Sequence, residues 1–564
     1  YLVGFVQSPY RYTPFDSAGN IRPDEELQAG FERQQYVLER MLSNDFITKE
    51  QFEEAKKFDI KGAYTKQKYS EYTDYPYIRD EVTSSVAEIL AEQTAKKNNR
   101  EEEFKNDSDY RNELIEKSRI KFITGGYKVK TTLDKKLYDT LQETKKQFAS
   151  YPTHTQGGVV YPLEIGASVI ENSTGKVLAF IGGMDYKKQQ LNHATRTRRS
   201  PGSTIKPLLV YGPAIDKGYI TPNSTVLDKR FNHYGWRPEN YDMSERGYLP
   251  AREALARSLN LPTVRLYSSF YKEDPVTNYL EKMGVEGLTE SDKTNLATAI
   301  GGMTYGLSVT ENTSAFSTFA NKGEHKKAHI IEEIENNDGE LVYKADFSPV
   351  KVFEESTSYL IVNMLGDVIN KSYGLSHDMP SKLKFNAKNL FVKTGTSEYY
   401  NDLWVVGGST KITVGLWNGY DSPAKVPSYD YAQRSWVAVM NAIYALDKNL
   451  IAPDTAFSRP KSVVDASING YNNAKGGTKD IVPNGFKELS KEKTLAKFGS
   501  NIDKGISFND PSKVVVTKPV QKEEKKDDKD KKDKKEEKEE RTVTITETPP
   551  PILKPTVITE EDEE

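Results

Sequence analysis

Ser200-Pro201-Gly202-Ser203-Thr204-Ile205-Lys206-Pro207 is the stretch from which the rest of the chain is read. Pro201-Gly202 is a turn signal, and it predicts a bend that delivers Ser203 to the first turn of a helix. Residues three apart on a helix share a face, so Lys206 falls beside the Ser203 hydroxyl. A serine hydroxyl is a weak nucleophile until a neighbouring base takes its proton. A lysine is such a base only when burial or a second cation holds it neutral. The N–H groups at a helix start favour negative charge, which suits an oxyanion forming beside Ser203. The spacing alone is cheap: Ser381 with Lys384, and Ser490 with Lys493, repeat it. Function therefore turns on whether further partners exist.

Upstream of that stretch, residues 165–171 alternate as a strand, Asn172-Ser173-Thr174-Gly175 is a turn, and residues 176–181 form the return strand. Arg196, Arg198 and Arg199 lead into the turn, either to steer an anionic substrate or as solvated basic residues. Downstream, residues 250–267 are predicted helix-rich and contain Ser258-Leu259-Asn260. Residues 270–330 are mainly helical, 330–355 alternate as strands, and 352–369 carry an amphipathic helix. Strands are predicted over 390–397, 403–407 and 411–418, with a closing helix over 435–446. Strands, then helices, then strands suit an antiparallel sheet whose first and last strands meet, with helices on its faces.

The 564 residues allow several domains. A net charge of −3 argues against a general nucleic-acid binder. There is no cysteine, which excludes thiolate catalysis, disulfides and cysteine metal sites. The six histidines show no metal spacing; His325 and His329 follow a turn signal in a polar stretch and are expected to be solvated. The longest apolar run, residues 436–446, falls short of the roughly 18 residues of a membrane span. Near the start, residues 25–42 have helical spacing, and Thr48-Lys49-Glu50-Gln51 is a capping box. Residues 80–97 are predicted helical, 98–116 a solvated, mobile charged stretch, 127–133 a strand and 135–148 a helix. Residues 522–541 are almost wholly Lys, Asp and Glu and cannot bury enough surface to fold. The chain opens mid-pattern at Tyr1, so it is expected to be a fragment or processed form whose leader or anchor precedes it.

Partners for Ser203 and Lys206 do exist: Ser258-x-Asn260, then Lys393-Thr394-Gly395-Thr396. This set, in this order, is that of penicillin-binding proteins and their β-lactamase relatives. A second Ser-x-Asn, Ser467-Ile468-Asn469, sits in an expected Gly-flanked loop. The context agrees as well. Ile181-Gly182-Gly183-Met184-Asp185-Tyr186, Asn192-His193-Ala194-Thr195, Arg237-Pro238-Glu239-Asn240-Tyr241 and Asp402-Leu403-Trp404-Val405-Val406-Gly407 resemble the transpeptidase domain of class A penicillin-binding proteins. Residues 1–60 resemble the end of the glycosyltransferase domain that precedes it, and 125–134 its linker.

That resemblance implies an α+β multidomain chain: a glycosyltransferase remnant (1–60), a linker region (61–155), a penicillin-binding/serine β-lactamase-like transpeptidase domain with an antiparallel sheet flanked by helices (156–460), a C-terminal extension (461–510) and a disordered charged and Pro-rich tail (511–564). It implies a D,D-transpeptidase that needs no metal or cofactor, acts on peptidoglycan stem peptides, and is acylated by β-lactams. Ser203 attacks the carbonyl and Lys206 takes its proton. Ser258 passes a proton to the leaving amine, and Asn260 orients the substrate amide. Lys393 helps keep Lys206 neutral and attracts the substrate carboxylate, which Thr394 and Thr396 hydrogen-bond. Gly395 lets a backbone approach, and the N–H groups of Ser203 and Thr396 form the oxyanion hole. The same resemblance places the protein on the extracytoplasmic face of a bacterial membrane, held by an anchor ahead of Tyr1, among cell-wall synthesis proteins. The glycosyltransferase active site lies upstream of Tyr1 and is expected to be absent. The rival readings are a D,D-carboxypeptidase or serine β-lactamase-like hydrolase, and a non-catalytic peptidoglycan-binding scaffold.

Overall fold

The computed structural model describes residues 9–15, 21–64, 75–468 and 477–484. The charged tail, Ser490 with Lys493, and Asn469 lie outside the described residues. At the start, α1 (Asp24–Ser43) leads to α2 (Lys49–Lys57). The predicted capping box forms: Thr48 Oγ1 accepts from the Gln51 N–H at 3.2 Å, and Gln51 Oε1 accepts from the Thr48 N–H at 2.8 Å. α3 (Pro76–Lys97) carries proline in its first turn, where the missing N–H costs nothing.

The stretch 98–116 is not the mobile segment its charge suggests. It holds a short helix, Glu101–Asn106, and the first half of α4 (Ser108–Thr124), which packs along α3. Asp107 caps α4 by accepting from the N–H groups of Asp109 and Tyr110 at 2.9 and 3.0 Å. Its charges alternate in sign at helical spacing, with Lys117 paired to Glu113 and Arg119 to Glu116. The charge density belongs to the wet face of a docked helix. β1 (Lys128–Thr131) and α5 (Lys135–Lys145) follow, the latter capped by Asp134.

The body of the chain is built on β2 (Glu164–Glu171), β3 (Val177–Ile181), a helical run over 202–216, β4 (Thr225–Asp228), β5 (Gly247–Pro250), α6 (Ala251–Ala256), α7 (Asn260–Ser268) and α8 (Val309–Ala320). It continues with β6 (Ile331–Glu335), β7 (Leu341–Lys344), α9 (Glu355–Asn370), β8 (Phe391–Thr396), β9 (Asp402–Gly408), β10 (Ile412–Gly419), α10 (Asp430–Leu446), β11 (Val463–Ile468) and β12 (Thr478–Pro483). Five strands make an antiparallel sheet in the order β8-β9-β10-β2-β3. β10 runs against β2 from Ile412 opposite Glu171 to Gly419 opposite Glu164, so the early and late strands meet as predicted. Every residue of β10 is buried, as expected of a strand covered on both faces.

α8 packs on β10 and β2 from one side; α5 packs on β3 and α10 on β9 and β10. Trp436 of α10 pins this layer by donating its Nε1–H to the Val414 carbonyl at 3.0 Å. β1 joins β6 and β7 in a separate three-stranded sheet.

Two expectations fail here. His325 is buried, its Nδ1 3.1 Å from Thr318 Oγ1, and burial pushes its pKa down to about 4. The polar neighbours that suggested solvation are carried on a short strand pair, Glu324–His325 with Val350–Lys351, folded against α8. Ser467 lies in β11 opposite Lys479 of β12, not in a loop. Among the described residues no helix is long and apolar enough to cross a membrane.

Gly415 shows how closely the layers meet, because a Cβ there would overlap Thr313 Oγ1 of α8. Gly415→Ala is expected to destabilise the domain by about 1–3 kcal/mol, the usual cost of overpacking. Urea unfolding of the variant beside wild type measures this; an unchanged midpoint would refute the close packing.

Candidate active site

The turn before Ser203 is held from four directions. Ser200 Oγ donates to the Gly301 carbonyl at 2.8 Å, and Trp404 of β9 donates its Nε1–H to the Ser200 carbonyl at 2.8 Å. Arg199 and Leu307 exchange backbone hydrogen bonds at 3.0 and 2.9 Å. Asn312 of α8 donates to Thr204 Oγ1 at 2.9 Å. Gly202 has φ +49, and a Cβ there would run into the Thr396 backbone. Its other neighbour, Gly301 (φ +102), would meet the Gly202 Cα at 2.5 Å if it bore a Cβ. Gly395 completes the contact: a Cβ on it would lie 2.5 Å from the Pro201 carbonyl oxygen and 2.8 Å from Thr204 Cγ2. Three glycines therefore let the Ser203 turn lie against β8 at backbone distance. β8 is an edge strand of the sheet, so part of its backbone is left without a sheet partner.

The helix that follows is apolar apart from Lys206 and the Tyr211 hydroxyl, and wholly buried from Ile205 to Ala214. It is also locally widened: the Gly212 N–H bonds back five residues to the Pro207 carbonyl. Pro213, which has no N–H to give, follows directly.

Lys206 is fully buried, and its ammonium donates to the Ser258 carbonyl (2.7 Å), the Leu259 carbonyl (3.1 Å) and Asn260 Oδ1 (2.7 Å). All three acceptors are neutral. Burial, and then the nearby Lys393 charge, push its pKa well below the ordinary lysine value. Lys393, also fully buried, donates to Ser258 Oγ at 2.7 Å and the Thr394 carbonyl at 2.8 Å, and burial lowers its pKa to about 7. Ser258 thus stands between the two lysines, offering its carbonyl to one and its hydroxyl to the other. Its φ of +57 is in the left-handed region, a strained choice for serine, which the α6–α7 junction enforces. Amines moved toward neutrality are able to accept and relay protons near neutral pH.

The structure brings Lys206, Ser258, Asn260 and Lys393 together within hydrogen-bond reach, and Thr396 against the Ser203 turn. It differs from the sequence reading in three places. Asn260 is partly engaged: Oδ1 accepts from Lys206 and one Nδ2–H donates to the Glu239 carbonyl at 2.7 Å, which leaves the second N–H of the amide for a ligand. Thr394 alternates to the face of β8 opposite Lys393 and Gly395, and its buried Oγ1 has no hydrogen-bond partner among the described residues. Half-buried Ser203 makes no side-chain hydrogen bond to Lys206, a contact that in unliganded sites often tightens only with substrate.

The arginines before the turn do not steer an anion. Arg196 is paired with Glu81 and Glu88 of α3, Arg198 with Glu311 of α8, and Arg199 lies over the Trp417 ring, 3.8 Å from Asp421. They brace the lead-in instead.

Sequence reasoning about the chemistry passed over Gly301, Trp404, Asn312 and Asn240. Gly301-Gly302 was visible as a turn signal. Trp404 and Asn240 lie in stretches that carry the family resemblance but show no role of their own in the sequence, and Asn312 carries no local signal, because the partners of all three are remote in sequence. Among the described residues no three His, Asp or Glu side chains gather as a metal site requires.

Residues 165–429 match the family model of the penicillin-binding protein transpeptidase domain. The chain is 30% identical to penicillin-binding protein 4 of Bacillus subtilis over 395 residues, 70% of this chain and 60% of that one. It is 27% identical to penicillin-binding protein 1A/1B of the same organism over 498 residues, 84% of this chain and 48% of that one. It therefore spans about half to three fifths of the length of these curated relatives. In fold it is similar to penicillin-binding protein 1A from Haemophilus influenzae, with a TM-score of 0.56 and 18% identity over 82% of this chain and 83% of that one.

Lys393 makes the site costly to fold. Its pKa falls from an ordinary 10.5 to about 7, so the unfolded chain binds the proton more tightly between those values. Stability from this group therefore rises with pH across that window, and the penalty is complete below it. Lys393→Met is expected to melt above wild type at pH 7, by a margin that shrinks as pH approaches 10.5. Thermal melts across pH test this; a variant that melts below wild type at pH 7 and keeps the slope would contradict it.

Proposed function

We propose that this chain is a penicillin-binding protein, with residues 165–429, which match the transpeptidase model of that family, as its transpeptidase domain, and that it is a D,D-transpeptidase that cross-links peptidoglycan. The donor is a stem peptide ending in D-Ala-D-Ala. Ser203 Oγ attacks the penultimate carbonyl carbon while the Lys206 amine takes the hydroxyl proton. The N–H groups of Ser203 and Thr396 hold the oxyanion. Collapse breaks the peptide C–N bond, and Ser258, hydrogen-bonded to Lys393, hands a proton to the departing D-alanine. The amine of a second stem peptide then attacks the acyl-enzyme, forms the cross-link and frees Ser203. Lys393, protonated below about pH 7, supplies the charge that attracts the substrate carboxylate.

The observation that carries this reading is the pair of buried lysines with no carboxylate partner. A structural ion pair would place an acid between them; an acylating site needs a base that is neutral. A carboxylate poised to activate water would favour the hydrolase rivals, but among the described residues none hydrogen-bonds to Lys206, Ser258, Asn260 or Lys393. We further read residues 1–60 as the end of a glycosyltransferase domain, 61–155 as the linker region, 156–460 as the transpeptidase domain and 461–510 as an extension, with the tail beyond. The substrate places the protein on the outer face of a bacterial cytoplasmic membrane, among cell-wall synthesis proteins.

Incubation with a labelled penicillin, followed by peptide mass spectrometry, is expected to place one long-lived adduct on the peptide carrying Ser203, and none in Ser203→Ala. An adduct on another residue, or turnover within minutes, would overturn the reading. Lys206→Ala is expected to slow acylation by about 100-fold or more, the scale of losing a general base. Lys393→Ala is expected to move the acid limb of the acylation profile to higher pH, because Lys206 keeps its proton longer without the neighbouring cation. An acid limb that stays in place would disprove that coupling.

A further inference from the structure

We propose that Asn240, aimed by the buried Asp228 carboxylate, is a positioning residue that sets where the Lys206 amine points. The proposal rests on the assignment of Ser203 and Lys206 as the acylating pair.

Everything that holds the Lys206 amine comes from the three residues 258–260. That segment opens α7, and the residue preceding the helix, Leu259, has no side chain able to cap it. The cap arrives from another part of the chain. Asn240 Oδ1 accepts from the N–H groups of Asn260 at 2.8 Å and Leu261 at 3.2 Å. The preceding carbonyl, of Glu239, accepts from Asn260 Nδ2 at 2.7 Å and turns Asn260 Oδ1 toward Lys206. Residues 239–240 therefore fix both the backbone and the side chain of Asn260.

Asn240 in turn is aimed from below. Its Nδ2 donates to Asp228 Oδ1 at 2.6 Å and to the Ser244 carbonyl at 2.8 Å, so both donors and both acceptor positions of the amide are used. A flipped amide would put N–H against N–H at α7, so only one orientation satisfies the network. Asp228 is fully buried at the end of β4, and Asn240 is 2% exposed. A carboxylate kept in such a place needs a task, because burial disfavours its charge. The charged and titratable groups facing it are few. Arg246 donates its N–H at 3.1 Å and holds its guanidinium 3.6 Å away, itself bound to Asp242. Tyr211 of the Ser203 helix feels the same carboxylate, and Arg265 of α7 donates to the neighbouring Lys229 and Arg230 carbonyls. The chain of contacts Asp228–Asn240–Asn260–Lys206 is thus continuous, and every link is a hydrogen bond of 2.6–2.8 Å.

Asn240→Asp separates positioning from mere support of the fold. It keeps both acceptor contacts to α7 but sets a carboxylate against Asp228, and two carboxylates this close must share a proton. Acylation by a labelled penicillin is measured as a second-order rate across pH 5.5–9 on full-length protein (roughly the stable range of most folds). Rates are normalised to the fraction that can be labelled, and melting temperatures are recorded alongside. Near pH 6 the variant is expected within a few-fold of wild type. At the alkaline end it is expected to be slower by about 10- to 100-fold, the scale on which misplacement of a reacting group is felt. Asp228→Asn combined with Asn240→Asp restores a single carboxylate and is expected to abolish that extra pH dependence. If both variants follow the wild-type profile and differ only in melting temperature, Asn240 merely supports the fold and the proposal falls. Failure of wild type to acylate at Ser203 would overturn the functional reading as well, so the two failures are told apart.

Discussion

Two buried amines that share Ser258 and, among the described residues, have no acid bonded to either are the constraint on which this structure depends. A buried ammonium is expensive without a counter-charge, and two of them repel. The fold keeps them by giving each a set of neutral acceptors and by lowering the pKa of both amines. Lys206 is surrounded by two carbonyls and an amide oxygen, Lys393 by a hydroxyl and a carbonyl. The same arrangement that lowers stability leaves an amine of lowered pKa three residues along the chain from Ser203. Instability and chemistry here have one cause.

Holding such a pair demands rigid surroundings, and the layers supply them. The Ser203 helix is enclosed on all sides, so Lys206 cannot swing out to water. The turn ahead of it is wedged between β8, β9 and α8 by bonds from Trp404 and Asn312 and by the glycine contacts at 202, 301 and 395. The arginines of the lead-in extend this bracing outward, since Arg196 ties it to Glu81, a nearly buried carboxylate of α3 that also accepts from Asn192. The strained backbone at Ser258 is tolerated because both lysines bind it, one at its carbonyl and one at its hydroxyl.

Much of this was legible along the chain. The hairpin at 164–181, the strands at 391–419 and the α2 capping box follow from local rules of period and turn chemistry. The three short motifs announced a serine acyl-transfer site because their residue types are interpretable together. What misled was local polarity: residues 98–116 and His325 look solvated one residue at a time, and only packing against α3 and α8 reveals otherwise. The Lys206 contact of Asn260 and the facing of Thr394 failed to show for a related reason, since a residue's type says what it can bond to and not which partner reaches it first.

The amino-acid order by itself determined most of the elements, the antiparallel closure of the sheet and the candidate nucleophile with its candidate lysines, because those depend on periodicity, turn residues and side-chain chemistry. Tertiary structure alone decided which atoms meet: that Lys206 looks at the 258–260 segment, that Asn240 caps α7 from 20 residues away, and that three glycines let a turn and a strand touch. Those pairings join segments separated by tens to hundreds of residues. Hydrogen bonding and close contact act through space, and distance in space is not written in neighbouring letters.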